Sequence, residues 1–132
     1  MKRSGALKRS KGLARARWAR SWRRKPSQRE RASAWRSAVM RASDGRCVVT
    51  GKNAGAAHHV IPKHLLKKHD LHAHLWDARN GIAVTTRVHD RHHAGLELIP
   101  ASCLPASVYE FAAEHGLIWF LEKHYATEEV SA

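Results

Sequence analysis

The sequence NGIAVTTRVHDRHHAG, at residues 80–95, carries the clearest local structural signals of the chain. It opens with an Asn-Gly tight-turn pair and continues into a β run over residues 82–84. Thr85 or Thr86 can then cap a helix that runs up to Gly95. The stretch therefore predicts a turn, a strand and a helix in immediate succession.

Two histidines of this predicted helix, His89 and His93, stand four residues apart. Residues at that spacing lie on the same face of a helix, so both imidazoles can bind one cation. A basic chain with 11 histidines also produces such pairs by chance, and a solvated helix face would explain a single pair. The pair becomes informative because another pair of histidines lies upstream.

His58 and His59 are adjacent on a predicted strand, residues 57–61, where neighbouring side chains point to opposite faces. Opposite faces permit different roles. One imidazole can complete a three-histidine metal site, while the other stays unligated with a pKa near neutrality, suited to accepting a proton from water. Asn80 precedes the next strand, where its amide could hydrogen-bond across the hairpin and hold the loop that carries His59.

Helices flank this region on both sides. Ser27 and Glu30 form an S-x-x-E capping box that predicts the start of an amino-terminal helix, and apolar spacing predicts two further helices near the carboxy terminus. A short β run is also expected at residues 47–49. These elements predict a single α+β domain over residues 27–126, followed by a frayed tail over residues 127–132.

The positive charge is concentrated at one end of the chain. Residues 1–46 hold 16 Lys and Arg against two acids, a net charge of +14, whereas residues 47–132 hold 8 against 9, a net charge of −1. Such a segment favours nucleic acid, because neutralising phosphates releases condensed counterions. We expect a disordered nucleic-acid-binding arm over residues 1–26, with a solvated tail that aids solubility as the alternative. The expected contacts are Arg15, Arg17, Arg20, Arg23, Arg24 and Lys25.

The composition also excludes some classes of protein. No uncharged apolar run approaches the roughly 18 residues of a membrane-spanning helix, and the basic amino terminus lacks the apolar centre of a secretory signal. Cys47 and Cys103 can form at most one bridge, which fits a reducing compartment. We therefore expect a cytoplasmic protein with two free thiols and no membrane partner.

Three motifs taken together, HHVIP at residues 58–62, WDARNGIAV at residues 76–84 and VHDRHH at residues 88–93, resemble the HNH endonucleases. The resemblance covers about residues 46–94 and implies a ββα-metal core, in which a β-hairpin and a helix clasp one metal ion. The amino-terminal helix and the two carboxy-terminal helices lie outside it. The basic leader is similar in composition to leaders of small phage-encoded members, which implies a phage origin and the host cytoplasm as location.

The resemblance implies a role for each matching residue. His59 would be the general base, and Asn80 would orient the loop that carries it. His58 and His89 would be metal ligands, and His93 would be the third ligand or a phosphate contact. The implied core thus contains one imidazole that does not bind the metal and two or three imidazoles that do.

One divalent metal ion is the expected cofactor: Zn, Ni, Mn or Mg, with zinc favoured as the bound ion because the ligands are imidazoles. Arg87 and Arg91 are candidates for gripping phosphates around the scissile bond, with surface ion pairs as the alternative. Many HNH proteins also carry two Cys-x-x-Cys pairs that bind a structural zinc. This chain departs from that pattern, since Thr50 stands three residues after Cys47.

The implied function is metal-dependent hydrolysis of duplex DNA, by nicking or double-strand cleavage. His59 would deprotonate a water that attacks phosphorus, while the metal stabilises the leaving 3′ oxygen. The alternative is a non-enzymatic basic nucleic-acid-binding protein whose histidines form a structural zinc site. A phage terminase is a further expected partner, and the oligomeric state and the sequence preference stay open.

Overall fold

The computed structural model describes residues 24–127, which form an α+β fold of five α-helices and one two-stranded antiparallel sheet. None of the helices in this range is both long and apolar enough to cross a bilayer. The chain divides into two compact units between Glu30 and Arg31, and the sheet belongs to the second. The elements are α1 (Gln28–Ala42), β1 (Ala56–His59), α2 (Lys63–Lys68), β2 (Gly81–Val84), α3 (Thr86–His93), α4 (Ala106–Glu114) and α5 (Ile118–His124).

Helix α1 begins at the predicted capping box. The Glu30 backbone N–H donates to Ser27 Oγ at 3.2 Å, and Ser27 Oγ donates to Glu30 Oε1 at 3.2 Å. This arrangement satisfies one of the backbone donors that a helix leaves unpaired at its amino end. The helix then buries Trp35 and Val39, which lie one turn apart on the face that packs against the sheet.

The two strands form a hairpin whose faces have different partners. Ala56 pairs with Val84 and His59 with Gly81 in an antiparallel register. Ala83 packs in a small cluster with the two buried residues of α1. Because side chains alternate along a strand, Ile82 points to the opposite face and enters the main core.

The main core lies on that opposite face and is supplied mostly by α2, α4, α5 and the loops between them. Its largest fully buried side chains are apolar, and they close the sheet against the carboxy-terminal helices. This core fixes the position of β1 and of the segment that follows it. Its members include Ile61, Leu66, Ile82, Val84, Ile99, Val108, Phe111, Leu117 and Leu121.

The β run predicted at residues 47–49 is wrong. Residues 48–50 form a turn, closed by a hydrogen bond of 2.9 Å from Gly51 N to Cys47 O. The turn ends in Gly51 at a positive φ of 74°, a conformation that glycine adopts without strain. The apolar side chains still pack on the core, and Val48 N donates to Ala83 O of β2 at 3.0 Å, but the chain reverses before a ladder of such bonds can form. Both cysteines are free thiols, as expected.

Candidate functional site

Helix α3 carries the two histidines that the sequence placed on one face. Its first turn is capped by Thr85, whose Oγ1 accepts from Val88 N at 3.1 Å. His89 and His93 follow one turn apart, and their Nε2 atoms lie 3.1 Å from each other. Two imidazoles bound to one zinc at about 2.0–2.1 Å in tetrahedral geometry hold their nitrogens about 3.3 Å apart. The pair therefore already has nearly the spacing of two metal ligands.

His58 supplies a third imidazole from β1. One ligand atom of each of His58, His89 and His93 falls within 4.8 Å of the others, and within residues 24–127 no other group of three or more metal-ligating side chains meets. We call these three residues the histidine triad. His58 is buried, His89 is partly buried and His93 is exposed. The triad thus opens towards solvent on one side, as a metal site must if it is to accept an exchangeable ligand.

The hydrogen bonds of His58 fix which of its nitrogens is free. Its Nε2 lies 2.7 Å from the Tyr125 hydroxyl, and that hydroxyl donates its only proton to Val60 O at 2.8 Å. His58 Nε2 must therefore be the donor in the first bond, which leaves the lone pair on Nδ1. Nδ1 is buried without a partner among the described residues. An orphaned buried acceptor beside two other imidazoles fits a metal ligand.

Burial keeps two members of the triad, His58 and His89, in the neutral form that binds cations. Burial lowers the pKa of His58 to about 3, with neighbouring imidazoles adding to the effect. Burial, and then the neighbouring His93, also lower the pKa of His89. Neutral imidazole is the ligating form, so a metal need not displace protons from these two residues at neutral pH.

His59 faces the other side of the sheet, where it is held on three sides. Its ring stacks on Trp35 with centroids 3.9 Å apart and an interplanar angle of 13°, and it meets Trp76 in a T-shaped contact with centroids 5.5 Å apart. Its Nε2 donates to Leu75 O at 3.0 Å, since a carbonyl oxygen only accepts. The lone pair therefore sits on Nδ1, which has no hydrogen-bond partner among the described residues. Burial lowers the pKa of His59.

Asn80 links the two strand ends, as the sequence suggested. Its side chain is fully buried, with Oδ1 accepting from Ile61 N at 2.8 Å and Nδ2 donating to Ile61 O at 2.9 Å. Its backbone carbonyl also accepts from Val60 N at 3.1 Å. Together these bonds fix the chain directly after His59. Only a side chain with one donor and one acceptor can bridge a peptide group in this way.

A cleft of about 470 Å³ brings His59 and the triad together. Its remaining polar wall comes from α2, where Lys63 and Lys67 lie one turn apart with His64 beside them. Among the described residues, no carboxylate lines the cleft. Neither lysine forms an ion pair within the same part of the chain; Lys63 Nζ lies 5.1 Å from the Trp76 ring centroid. A cleft with basic walls and no acid attracts anions.

Arg87 and Arg91 lie outside this cleft. They project from the opposite face of α3 and line a different cavity, and Arg91 Nε donates to Glu97 Oε2 at 3.0 Å. Neither arginine borders the cleft, because a step of two residues along a helix is more than half a turn away from His89. Their contact with phosphates stays a prediction. Lys63 and Lys67, which the sequence analysis did not single out, line the cleft.

Most of the expected arm contacts lie outside the described residues: Arg15, Arg17, Arg20 and Arg23 all precede residue 24. Arg24 and Lys25 are described and exposed. The Arg24 guanidinium pairs with Glu30 at 2.9 Å, and it lowers the pKa of that carboxyl through a hydrogen bond. The role of the arm stays a prediction.

Three residues that sequence reasoning missed support the site. Trp35 stacks on His59, and Tyr125 fixes the tautomer of His58. His92, expected on the surface, is instead half-buried against Tyr125, and its Nδ1 accepts from Ile99 N at 2.9 Å. With that lone pair used, His92 packs beside the triad without joining it. No local signal marked these residues, because their partners are distant in the sequence.

No protein-family model, curated protein or solved structure matches the chain.

Proposed function

We propose that the protein is a metal-dependent endonuclease of the HNH type, which hydrolyses phosphodiester bonds of duplex DNA. One observation carries the proposal. Two adjacent histidines on opposite faces of β1 border the same cleft; His58 belongs to the triad, and His59 keeps a free Nδ1. A purely structural metal site has no use for the second imidazole, whereas hydrolysis needs both a cation and a base.

The fold supports the same proposal. The chain order β1, β2, α3 is the order expected for a ββα-metal core, with α1 before it and α4 and α5 after it, and this order supports the proposal. The triad would hold one divalent ion, and its imidazole donors favour zinc or nickel over magnesium. When bound, that ion would supply positive charge to the phosphoryl and leaving oxygens, where negative charge builds during hydrolysis.

The residues of the chain itself provide the base. His59 Nδ1 accepts a proton from a water molecule, while its Nε2–H stays bonded to Leu75 O. The resulting imidazolium is stabilised by the face of Trp35, on which the ring already stacks. Asn80 acts as a positioning residue, because its bonds to Ile61 fix the backbone that carries His59. Burial favours the neutral, proton-accepting form of His59.

The substrate follows from the charge of the cleft. Lys63 and Lys67 contact phosphates on either side of the bond that is cut, and the absence of carboxylates from the described wall of the cleft favours a polyanion. The products would carry 5′-phosphate and 3′-hydroxyl ends. A protein with one such site would cut one strand each time it binds DNA. Partnership with a phage terminase and location in the host cytoplasm stay predictions from the sequence.

Replacing His59 tests the proposed nuclease function. Supercoiled plasmid incubated with the full chain and Zn²⁺, Ni²⁺, Mn²⁺ or Mg²⁺ should be nicked, and EDTA should prevent nicking. His59→Ala should lower the nicking rate by about 10² to 10⁴, since that is the typical contribution of a general base. Metal affinity, measured by calorimetry, should be unchanged because His59 lies outside the triad.

His72→Ala is the matched control, because His72 is an exposed histidine that borders neither His59 nor the triad. It should nick plasmid at the rate of the parent. Near-normal nicking by His59→Ala would refute the role of His59. If the parent shows no metal-dependent nicking under any condition, but still binds DNA and zinc, the non-enzymatic binder with a structural zinc site becomes the better assignment.

A further inference from the structure

A second cavity of about 500 Å³ adjoins the triad on the side of α5. His58, Pro62, His64 and His93 border both this cavity and the cleft that holds His59. The triad therefore stands between two spaces rather than at the bottom of one. A phosphate at the triad would extend its flanking nucleotides into both. We call the second space the α5 cavity.

An exposed tryptophan, Trp119, borders the α5 cavity. Trp119 is 46% exposed, although the neighbouring Phe120 and Leu121 are buried in the core. Its ring meets Phe120 edge-on, with centroids 6.0 Å apart, and Phe120 in turn stacks on His124. Much of the indole surface thus remains accessible. An accessible aromatic ring is the kind of surface on which nucleobases stack.

The polar groups of the α5 cavity are suited to a phosphate. Lys123 stands one helical turn after Trp119 on α5 and borders the same cavity, as do His64 and His124. Within residues 24–127, no Asp or Glu lines it. The cavity around Arg87 and Arg91 differs, because Glu97 forms part of its wall. The combination of an aromatic ring with basic side chains and no acid is the pattern of single-stranded nucleic-acid sites.

We propose that the α5 cavity is a nucleobase subsite, in which Trp119 stacks on the base of the nucleotide next to the scissile phosphate and Lys123 contacts the following phosphate. The inference rests on the proposed function to the extent that the triad receives the scissile phosphate. A base stacked on Trp119 has left its duplex stack, so the protein should bind single-stranded or frayed DNA more tightly than an intact duplex of the same length.

Equilibrium binding tests the subsite without relying on cleavage. The full chain carrying His59→Ala is titrated with a fluorescent single-stranded oligonucleotide, and the measurement is repeated after adding Trp119→Ala, Trp119→Phe or Tyr109→Ala. Trp119→Ala should weaken binding about 5- to 150-fold, the range expected for the loss of one stacked base. Trp119→Phe should restore most of the affinity. Tyr109 is the matched control, since it is an exposed aromatic residue on α4 that borders neither cavity.

An abasic scan identifies the contact directly. An abasic residue is placed at each position of the oligonucleotide in turn, and affinity is measured for the parent and for Trp119→Ala. One position should weaken binding to the parent while leaving Trp119→Ala unaffected, because the stacked base and the indole form one interaction. Equal affinities of parent and Trp119→Ala, or abasic effects that are the same in both, would overturn the subsite.

The two proposals fail in different ways. Trp119-dependent binding by a chain that never cleaves DNA would refute the nuclease and leave the subsite standing. Cleavage of DNA by a chain whose oligonucleotide affinity does not depend on Trp119 would refute the subsite and leave the nuclease standing. If Trp119→Ala leaves binding unchanged but abolishes self-association in sedimentation, the exposed face would belong to a second copy of this chain, and the subsite would be overturned.

Discussion

His58 and His59 are neighbours whose different partners follow from the alternation of a strand. His58 donates through Nε2 to Tyr125 and keeps its lone pair on Nδ1 towards the triad. His59 also donates through Nε2, but to the carbonyl of Leu75, and keeps its Nδ1 lone pair free. In the proposed function, the same tautomer would serve a metal ligand on one face of the strand and a base on the other. In each case the acceptor of the Nε2–H hydrogen bond decides which nitrogen keeps its lone pair.

Replacing Tyr125 tests how much its hydrogen bond with His58 Nε2 contributes to metal affinity. Tyr125→Phe removes the hydroxyl that accepts from His58 and donates to Val60 O. The ring should still fill its place in the core, but His58 can then rotate or change tautomer. We expect metal affinity, measured by calorimetry, to fall about 10- to 100-fold, as is typical when the partner of a ligating histidine is removed.

Tyr109→Phe provides the comparison for Tyr125→Phe. Its hydroxyl donates to Ala101 O at 3.0 Å on the exposed surface, away from the triad. This variant should bind metal like the parent. Unchanged metal affinity in Tyr125→Phe, with the fold intact by circular dichroism, would show that Tyr125 serves packing alone.

The burial of His58 predicts that the metal-free protein loses stability in acid. Its pKa is lowered from 6.5 to about 3 in the folded chain, so between these values the unfolded chain binds more protons than the folded one. The free energy of unfolding is therefore highest above pH 6.5 and falls as pH drops towards 3. Direct conversion of the lowered pKa sets an upper limit of about 5 kcal/mol for this loss.

Urea denaturation in EDTA, from neutral pH down to about pH 4, measures this dependence. His58→Gln should start less stable and decline less steeply, because the amide does not titrate. His92 is the second contributor, since burial lowers its pKa to about 4. Parallel declines for the parent and His58→Gln would contradict the assignment to His58.

Helix α1 packs closely on the hairpin at Gly81, where the absence of a side chain leaves room for Val39 and Trp35. A Cβ added at Gly81 would overlap Val39 and lie 2.8 Å from Cζ2 of Trp35. Gly81→Ala should therefore destabilise the protein by about 1–3 kcal/mol, the usual cost of overpacking a core. It should also displace Trp35 from His59, which lowers the nicking rate while metal affinity is retained.

A double-mutant cycle separates overpacking from other effects of Gly81→Ala. Val39→Ala alone loses stability by leaving a cavity, but in the double variant the space it vacates receives the new methyl group. The combined loss measured by urea denaturation should thus be smaller than the sum of the two single losses. Additive losses would mean that Gly81 matters for its backbone conformation and not for the close approach of Val39.

How far each element could be predicted depends on where its stabilising interactions lie. Helix α1 was predictable because Ser27 and Glu30, three residues apart, form its cap. The turn at residues 48–50 was not, because a β run needs a ladder of bonds to a partner strand, and within residues 24–127 residues 47–49 make a single one to β2, from Val48 N to Ala83 O at 3.0 Å. The short spacing of the apolar residues indicates that their side chains will be buried. It does not indicate whether the backbone will pair with another strand or reverse in a turn.

The candidate site shows the same division. The triad was predictable because adjacent histidines on a strand and histidines one turn apart on a helix fix the faces locally. Tyr125 was not, since it contacts His58 only after α5 packs on the sheet, 67 residues along the chain. The basic side chains that line the cleft could not be identified from the sequence for a related reason. Arg87 and Arg91 are close to the motif in sequence, but Lys63 and Lys67 line the cleft.

Over the whole molecule, positive charge has two arrangements with different consequences. In the described part of the chain, three lysines border the two cavities that meet at the triad: Lys63, Lys67 and Lys123. In residues 1–26, eleven Lys and Arg stand without a single acid. A few placed charges fix the register of a bound strand, whereas a dense run supplies affinity without reading sequence.

Salt dependence distinguishes these two contributions. Removing residues 1–26 should flatten the plot of log affinity for duplex DNA against log salt concentration, because each phosphate that the arm neutralises releases condensed counterions. If the arm neutralises about five phosphates, the slope should change by roughly 4 to 5, whereas Lys67→Ala should change it by about 1. The truncated chain should still bind zinc, since the triad lies entirely beyond residue 26. A slope unaltered by the truncation would show that the arm carries charge without touching DNA, and the affinity would then come from basic residues beyond residue 26.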